Sequence, residues 1–158
     1  MRAWNIRQLG LGSSILSDTS SSFRDRYGDI QLEANVEYRF PVTVIGGVKV
    51  NSAVFTDIGN VWNLKSNISN PESKLEWQRL YRDIAIGVGT GLRLDFNYFL
   101  IRVDFAYKVK DPARRTNEGW MSIKDFEWRN KEFDIINTNG RVLKRNNYAF
   151  QLGIGLPF

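Results

Sequence analysis

The chain has 158 residues, the length of one domain, with 25% charged, 13% aromatic and 42% hydrophobic residues and a net charge of +5, a globular balance and not a disordered one. It contains no cysteine and no histidine, which removes disulfides, thiolate metal sites and thiol nucleophiles, and with them the commonest general base and metal ligand. Its Lys and Arg are spread among turns and strand interiors, so the positive charge reads as solvated loops and not as a nucleic-acid surface, which needs basic residues clustered on one face between aromatics.

No apolar run reaches the about 18 residues of a membrane-spanning helix. A β-barrel strand needs only about 9–11 residues with every second one apolar, and the mean hydropathy of −0.35 averages over such alternation without showing it. The opening stretch MRAWNIRQLG lacks the apolar core of a signal peptide. For an exported protein this places the expected start of the chain further upstream.

Residues 1–28 carry no clean alternation; five segments after them do. In 29–40, Ile30, Leu32, Ala34, Val36, Tyr38 and Phe40 alternate with Asp29, Gln31, Glu33, Asn35, Glu37 and Arg39. Successive side chains of a strand point to opposite faces, so this is one greasy and one strongly polar face. In 48–62, Val48, Val50, Val54, Ile58 and Trp62 oppose Lys49, Asn51 and Asp57. In 84–96, Ile84, Ile86, Val88, Leu92, Leu94 and Phe96 oppose Ala85, Gly87, Gly89, Gly91, Arg93 and Asp95. In 99–109, Phe99, Ile101, Val103, Phe105, Tyr107 and Val109 oppose Arg102, Asp104, Ala106 and Lys108. In 148–158, Tyr148, Phe150, Leu152, Ile154, Leu156 and Phe158 oppose Ala149, Gln151, Gly153, Gly155 and Pro157.

The connections are short around 41–47 and 97–98 and long over 63–82 and 110–147. Short turns on one side and long loops on the other are how outer-membrane barrels meet the periplasm and the exterior. Parity then runs the last strand down to a periplasmic end at Phe158. Aromatics fall where headgroups should lie, with Tyr38, Phe40, Phe96, Tyr98, Phe99 and Phe158 below and Trp62, Tyr81, Tyr107 and Tyr148 above. A soluble lipocalin-like barrel or sandwich produces the same period, which alone does not say which face is buried. Charge on the polar face beside an inward glycine row, and the way the sequence ends, favour the membrane. Five strands do not close a barrel, which takes about eight even when small. Two open edges are not tolerated in lipid, so upstream sequence or other chains must supply the rest.

Three motifs carry a resemblance. The residues Gln151-Leu-Gly153-Ile-Gly-Leu156-Pro-Phe158 look like the C-terminal recognition signal of outer-membrane barrels, in which an exposed strand edge and alternate side chains are read together. Met1-Arg2-Ala3-Trp4, followed by Leu9-Gly-Leu-Gly-Ser13, and Phe55-Thr-Asp57-Ile-Gly59 resemble the (V/I)RG(F/W) and FxDxG signatures of the BamA/TamA-type outer-membrane assembly factors, the bacterial surface antigen family. Ala3 stands where that family usually has glycine. The resemblance runs through GDIQLEANVEYRF, AVFTDIGNVW, GVGTGLRLDF, RVDFAYKVKDP and QLGIGLPF in family order, while residues 113–147 match no motif; there Trp120 and Trp128 read as packing a polar loop over the mouth.

The resemblance implies an all-β, antiparallel transmembrane barrel of sixteen strands, of which residues 29–158 are the C-terminal five, preceded by an inward-folding extracellular loop over 1–28. It implies that Arg2, beside Trp4, pairs with Asp57 of the Asp57–Gly59 motif, with Glu37, Arg93 and Asp95 either further partners or ordinary charges facing water. Gly87, Gly89 and Gly91 either leave room for the returning loop or simply curve the sheet, and Gly153 and Gly155 do likewise or let the last strand bend. The implied function is folding and insertion of outer-membrane proteins in a Gram-negative outer membrane, with no catalysis, cofactor or metal. The implied partners are membrane lipids, client proteins, the upstream barrel and periplasmic docking domains, and not nucleic acid. The same barrel also serves two-partner secretion transporters and the anchors of surface enzymes, and a passive oligomeric pore is the reading from a different class. Asp95 and Asp104 are inward carboxylates that nothing in the sequence pairs with a nucleophile or a metal-ligand set.

Overall fold

The structure, a computed structural model, describes residues 1–4, 9–14, 28–65, 71–114, 116–122, 124, 135–136, 142–143 and 147–155. Strands β1 (Ile30–Ile45), β2 (Val48–Trp62), β3 (Ala85–Asp95), β4 (Leu100–Lys110) and β7 (Tyr148–Gly155) form one sheet in the order β1-β2-β3-β4-β7. Every neighbouring pair is antiparallel. The short β5 (Ile135–Ile136) and β6 (Val142–Leu143) pair separately within the long loop. Helical parts among the described residues include one turn of α-helix, α1 (Leu80–Asp83), and short 3-10 turns at Pro71–Ser73, Trp77–Arg79 and Thr116–Gly119. No helix among the described residues is long and apolar enough to cross a membrane, a fact silent on β-barrels.

The alternating segments become these strands with one main change of boundary. β1 does not stop at Phe40 but runs on to Ile45. The register shifts between Pro41 and Thr43, so Pro41 sits at an irregularity, where a residue without an N–H is tolerated. The turn is the pair Gly46 (φ 57°) and Gly47 (φ 83°), the two left-handed residues that a tight hairpin matching strand twist requires. Between β3 and β4 the chain reverses through Asn97 (φ 67°), and Phe96 N–H donates to the Phe99 carbonyl at 3.0 Å.

The two faces of the sheet are buried in the opposite sense to a water-soluble protein. On the apolar face Val36, Leu152 and Ile154 are 71%, 73% and 75% exposed, whereas on the polar face Asp57, Arg93 and Asp104 are 1%, 4% and 0% exposed. The buried cluster that does form is Ala3, Trp4, Phe55, Ala85 and Ala106. It brings the N-terminal segment together with polar-face positions of β2, β3 and β4.

At the upper end of the sheet the alternation stops describing burial. Trp62 has apolar-face parity and reads from the sequence as part of an exposed aromatic belt, yet it is 1% exposed. β2 outruns β3 there, and the strip beside it is filled by the N-terminal segment. Gly12 N–H donates to the Val61 carbonyl at 2.8 Å, Asn60 donates to the carbonyls of Gly12 and Asp83, and Trp62 Nε1 donates to Asp83 at 3.3 Å. Tyr107, read into the same belt, is 8% exposed because its hydroxyl donates to the Ser122 carbonyl at 2.8 Å. Tyr81 does lie exposed and Tyr148 is half-buried. Lys110 donates to the carbonyls of Tyr81 and Arg82, closing the otherwise open C-terminal end of α1. Trp120 is 45% exposed, its ring 5.5 Å from Lys110 Nζ; Trp128 lies outside the described residues.

Candidate functional site

Register decides which polar-face residues meet. β1 and β2 pair Asn35 with Asp57 and Glu37 with Phe55; β2 and β3 pair Phe55 with Gly89 and Asp57 with Gly87. A carboxylate pair, an aromatic ring and a bare glycine strip are thereby set side by side, and residues 1–4 lie against them.

Arg2 is the centre of this arrangement. Its Nε and Nη2 donate to Asp57 at 3.1 and 2.7 Å, the two-pronged geometry that fits a guanidinium to a carboxylate. Its Nη1 donates to Glu37 Oε2 at 2.6 Å. Its backbone N–H donates to Asp57 Oδ2 at 2.7 Å, so Asp57 fixes both ends of the residue. The guanidinium carbon stacks 3.4 Å from the centre of the Phe55 ring, a cation–π contact. Burial works against the Arg2 charge, but hydrogen bonds with Asp57 and then Glu37 outweigh it and raise its pKa above the ordinary arginine value. On the far side, Gln151 Nε2 of β7 donates to the Arg2 carbonyl at 2.9 Å.

The glycine row has a separate occupant at each position. A Cβ on Gly87 would fall 2.8 Å from the Ala3 methyl and 3.2 Å from the Trp4 ring. One on Gly89 would fall 2.4 Å from both the Phe105 carbonyl and the Phe55 ring, and one on Gly91 would fall 2.1 Å from the Asp104 carboxylate. The row is therefore a set of close approaches, two of them serving the docked segment directly or through Phe55. The Gly87 gap also accommodates the Ala3 methyl against the wall. Gly153 is different, with only the Arg102 side chain at 3.6 Å or more, and Gly155 has nothing near it.

Of the other residues singled out in the sequence, Trp4 is 4% exposed with Lys108 Nζ 5.3 Å from its ring centre. Gly59 serves the sheet itself, since a Cβ there would lie 2.3 Å from the Leu32 carbonyl of β1. Arg93 Nη2 lies 2.7 Å from Glu37 Oε1 without aiming an N–H at it, so the contact is ionic and not a directional hydrogen bond. Asp95 does not join the cluster: its carboxylate accepts the Asn97 N–H at 2.9 Å and caps the β3–β4 turn. Leu156 and Phe158 lie outside the described residues.

Two residues of the cluster were absent from the sequence-derived site. Asp104, fully buried, stands between Arg102 at 3.1 Å and Arg93 at 3.8 Å. Inward parity marked both Asp104 and Arg102, two positions apart on one face of β4, but the partnership of Asp104 with Arg93 needs the β3–β4 register. The result is a chain of alternating charge, Asp57, Arg2, Glu37, Arg93, Asp104 and Arg102, which runs from the docked segment across the sheet. Arg39 adds a contact to Glu37 at 2.6 Å. Among the described residues no group of three or more acidic, His or Cys side chains is arranged to hold a metal ion.

The sheet thus exposes its apolar face and covers its polar one, to which an arginine pins the N-terminal segment. The family model described as the Omp85 superfamily domain matches residues 1–158, and the chain belongs to that superfamily. Membership implies an outer-membrane β-barrel protein with an assembly- or secretion-related function. No curated protein and no solved structure matched the chain.

Proposed function

We propose that this chain is the C-terminal part of the barrel of a BamA/TamA-type factor, which folds and inserts other outer-membrane proteins without nucleotide hydrolysis. The five-stranded sheet is then the last third of a sixteen-stranded barrel, its apolar face against lipid and its polar face toward the lumen. Residues 1–28 then belong to an inward-folding extracellular loop, of which residues 1–4 and 9–14 lie against that wall. The observation that carries the reading is the grip of Asp57 and Glu37 on Arg2, which joins the two family motifs in space. The clients are unfolded outer-membrane proteins, recognised by strand edges with unpaired backbone groups. Periplasmic docking domains outside this sequence deliver them.

The test is reconstitution of the full-length protein into liposomes, followed by the folding of an unfolded outer-membrane barrel read as heat-modifiable mobility. Faster client folding than in protein-free liposomes, slowed by Arg2→Ala, supports the proposal. Transport of a soluble exoprotein without client folding would assign the chain to secretion instead, and ion conductance alone would make it a pore.

A further inference from the structure

Arg2 is held from two places that are far apart in the sheet. Asp57 belongs to β2 and Gln151 to β7, with β3 and β4 between them, yet both bond to the same residue. They reach it because Gly87 and Gly89 of β3 and Ala106 of β4 present no bulk beneath the segment. β7 pairs on one side only, with β4, and is an edge of the sheet among the described residues. In the sequence Gln151 reads as part of a C-terminal barrel-recognition signal; in the folded molecule its amide is committed to the Arg2 carbonyl.

We propose that Gln151 is a positioning residue that couples the docked loop to the last strand, so that displacement of β7 loosens the loop and release of the loop loosens β7. This rests on the reading of the N-terminal segment as part of a docked loop. The geometry supplies the coupling: β7 is laddered to β4, and the Gln151 bond is a link from β7 to the loop that does not pass through that ladder. Because Gln151 grips a backbone carbonyl, the link survives any change of the Arg2 side chain that leaves the loop in place. Coupling between two sites is reciprocal in free energy, which makes the idea testable from both ends.

The experiment is hydrogen–deuterium exchange on the full-length protein folded in lipid bilayers. Gln151→Leu removes the donor and is expected to raise the exchange rate of segment 1–4 by about two- to tenfold, the usual worth of one net hydrogen bond. Gln151→Lys restores a donor and is expected to recover protection, which a generally loosened barrel would not. In the reverse direction, Arg2→Ala is expected to raise exchange along β7 as well as in segment 1–4. If Gln151→Leu leaves segment 1–4 unchanged while Arg2→Ala raises it, the loop docks but Gln151 does not couple it, and the inference is overturned. An unchanged β7 in Arg2→Ala overturns it equally. If Arg2→Ala fails to raise exchange even in segment 1–4, the docking underlying the proposed function fails with it.

Discussion

Removing the Arg2 side chain and removing the Asp57 carboxylate should not cost the same, and the asymmetry follows from how many partners each leaves behind. Asp57 is 1% exposed, and Arg2 is the only side chain paired with it in the ion pairs among the described residues. Arg2→Ala therefore leaves a buried carboxylate without its cation, a loss of about 3–5 kcal/mol in docking when one partner of a buried pair is deleted. Asp57→Ala leaves Arg2 still bonded to Glu37 at 2.6 Å and stacked on Phe55, so the expected loss is closer to that of charged hydrogen bonds, about 1.5–3 kcal/mol. The double variant has neither an orphaned carboxylate nor a half-paired guanidinium, and should lose less than the sum of the two. Exchange of segment 1–4 measures these losses directly, each tenfold rise in rate corresponding to about 1.4 kcal/mol. Equal single losses that add in the double variant would show that the pair does not hold the loop.

Gly87→Ala should weaken docking, because its methyl would meet the Ala3 methyl at 2.8 Å; adding Ala3→Gly should restore much of it, and exchange of segment 1–4 reads both. Gly91→Ala should cost about 1–3 kcal/mol by overpacking, since it expels the Asp104 carboxylate from a gap of 2.1 Å. Combining it with Asp104→Ala should cost less than the two changes summed, as measured by denaturant unfolding in bilayers. Val36→Lys, at a position 71% exposed, should destabilise the bilayer-embedded protein by about 2–4 kcal/mol near the midplane. On a water-facing surface the same change would stay within about 0.5 kcal/mol, and urea unfolding distinguishes the two.

The strands were legible because a period of two is a local property of the sequence. Alternation marks 48–62, 84–96 and 99–109, and the structure places strands at Val48–Trp62, Ala85–Asp95 and Leu100–Lys110. Pro41 reads as an end of β1 but lies within the strand, because only the partner strand reveals that its missing N–H falls at a register shift. Trp62 and Tyr107 read as belt residues since parity says which way a side chain points and not what a distant loop lays over it. The site divides in the same way. Arg2 and Asp57 were legible through their motifs, and Glu37 and Arg93 through parity. The Arg93–Asp104 contact was not, because cross-strand partnership depends on register, and Asp95, left open between a partner and an ordinary charge, accepts a backbone N–H two residues away. Gln151 was noticed for its place in a terminal pattern, and nothing along the chain links it to a residue 149 positions earlier.

An orientation with the apolar face toward lipid and the polar face away from it predicts different surroundings for Arg102 and Val103. They are adjacent in β4, with side-chain exposure of 41% for Arg102 and residue exposure of 40% for Val103, and they point to opposite faces. A fluorophore on Val103→Cys in a bilayer should be quenched by lipids brominated along their acyl chains and spared by aqueous iodide. The same fluorophore on Arg102→Cys should show the reverse. Equal quenching at both sites, or acyl-chain quenching at residue 102 and iodide quenching at 103, would contradict the account.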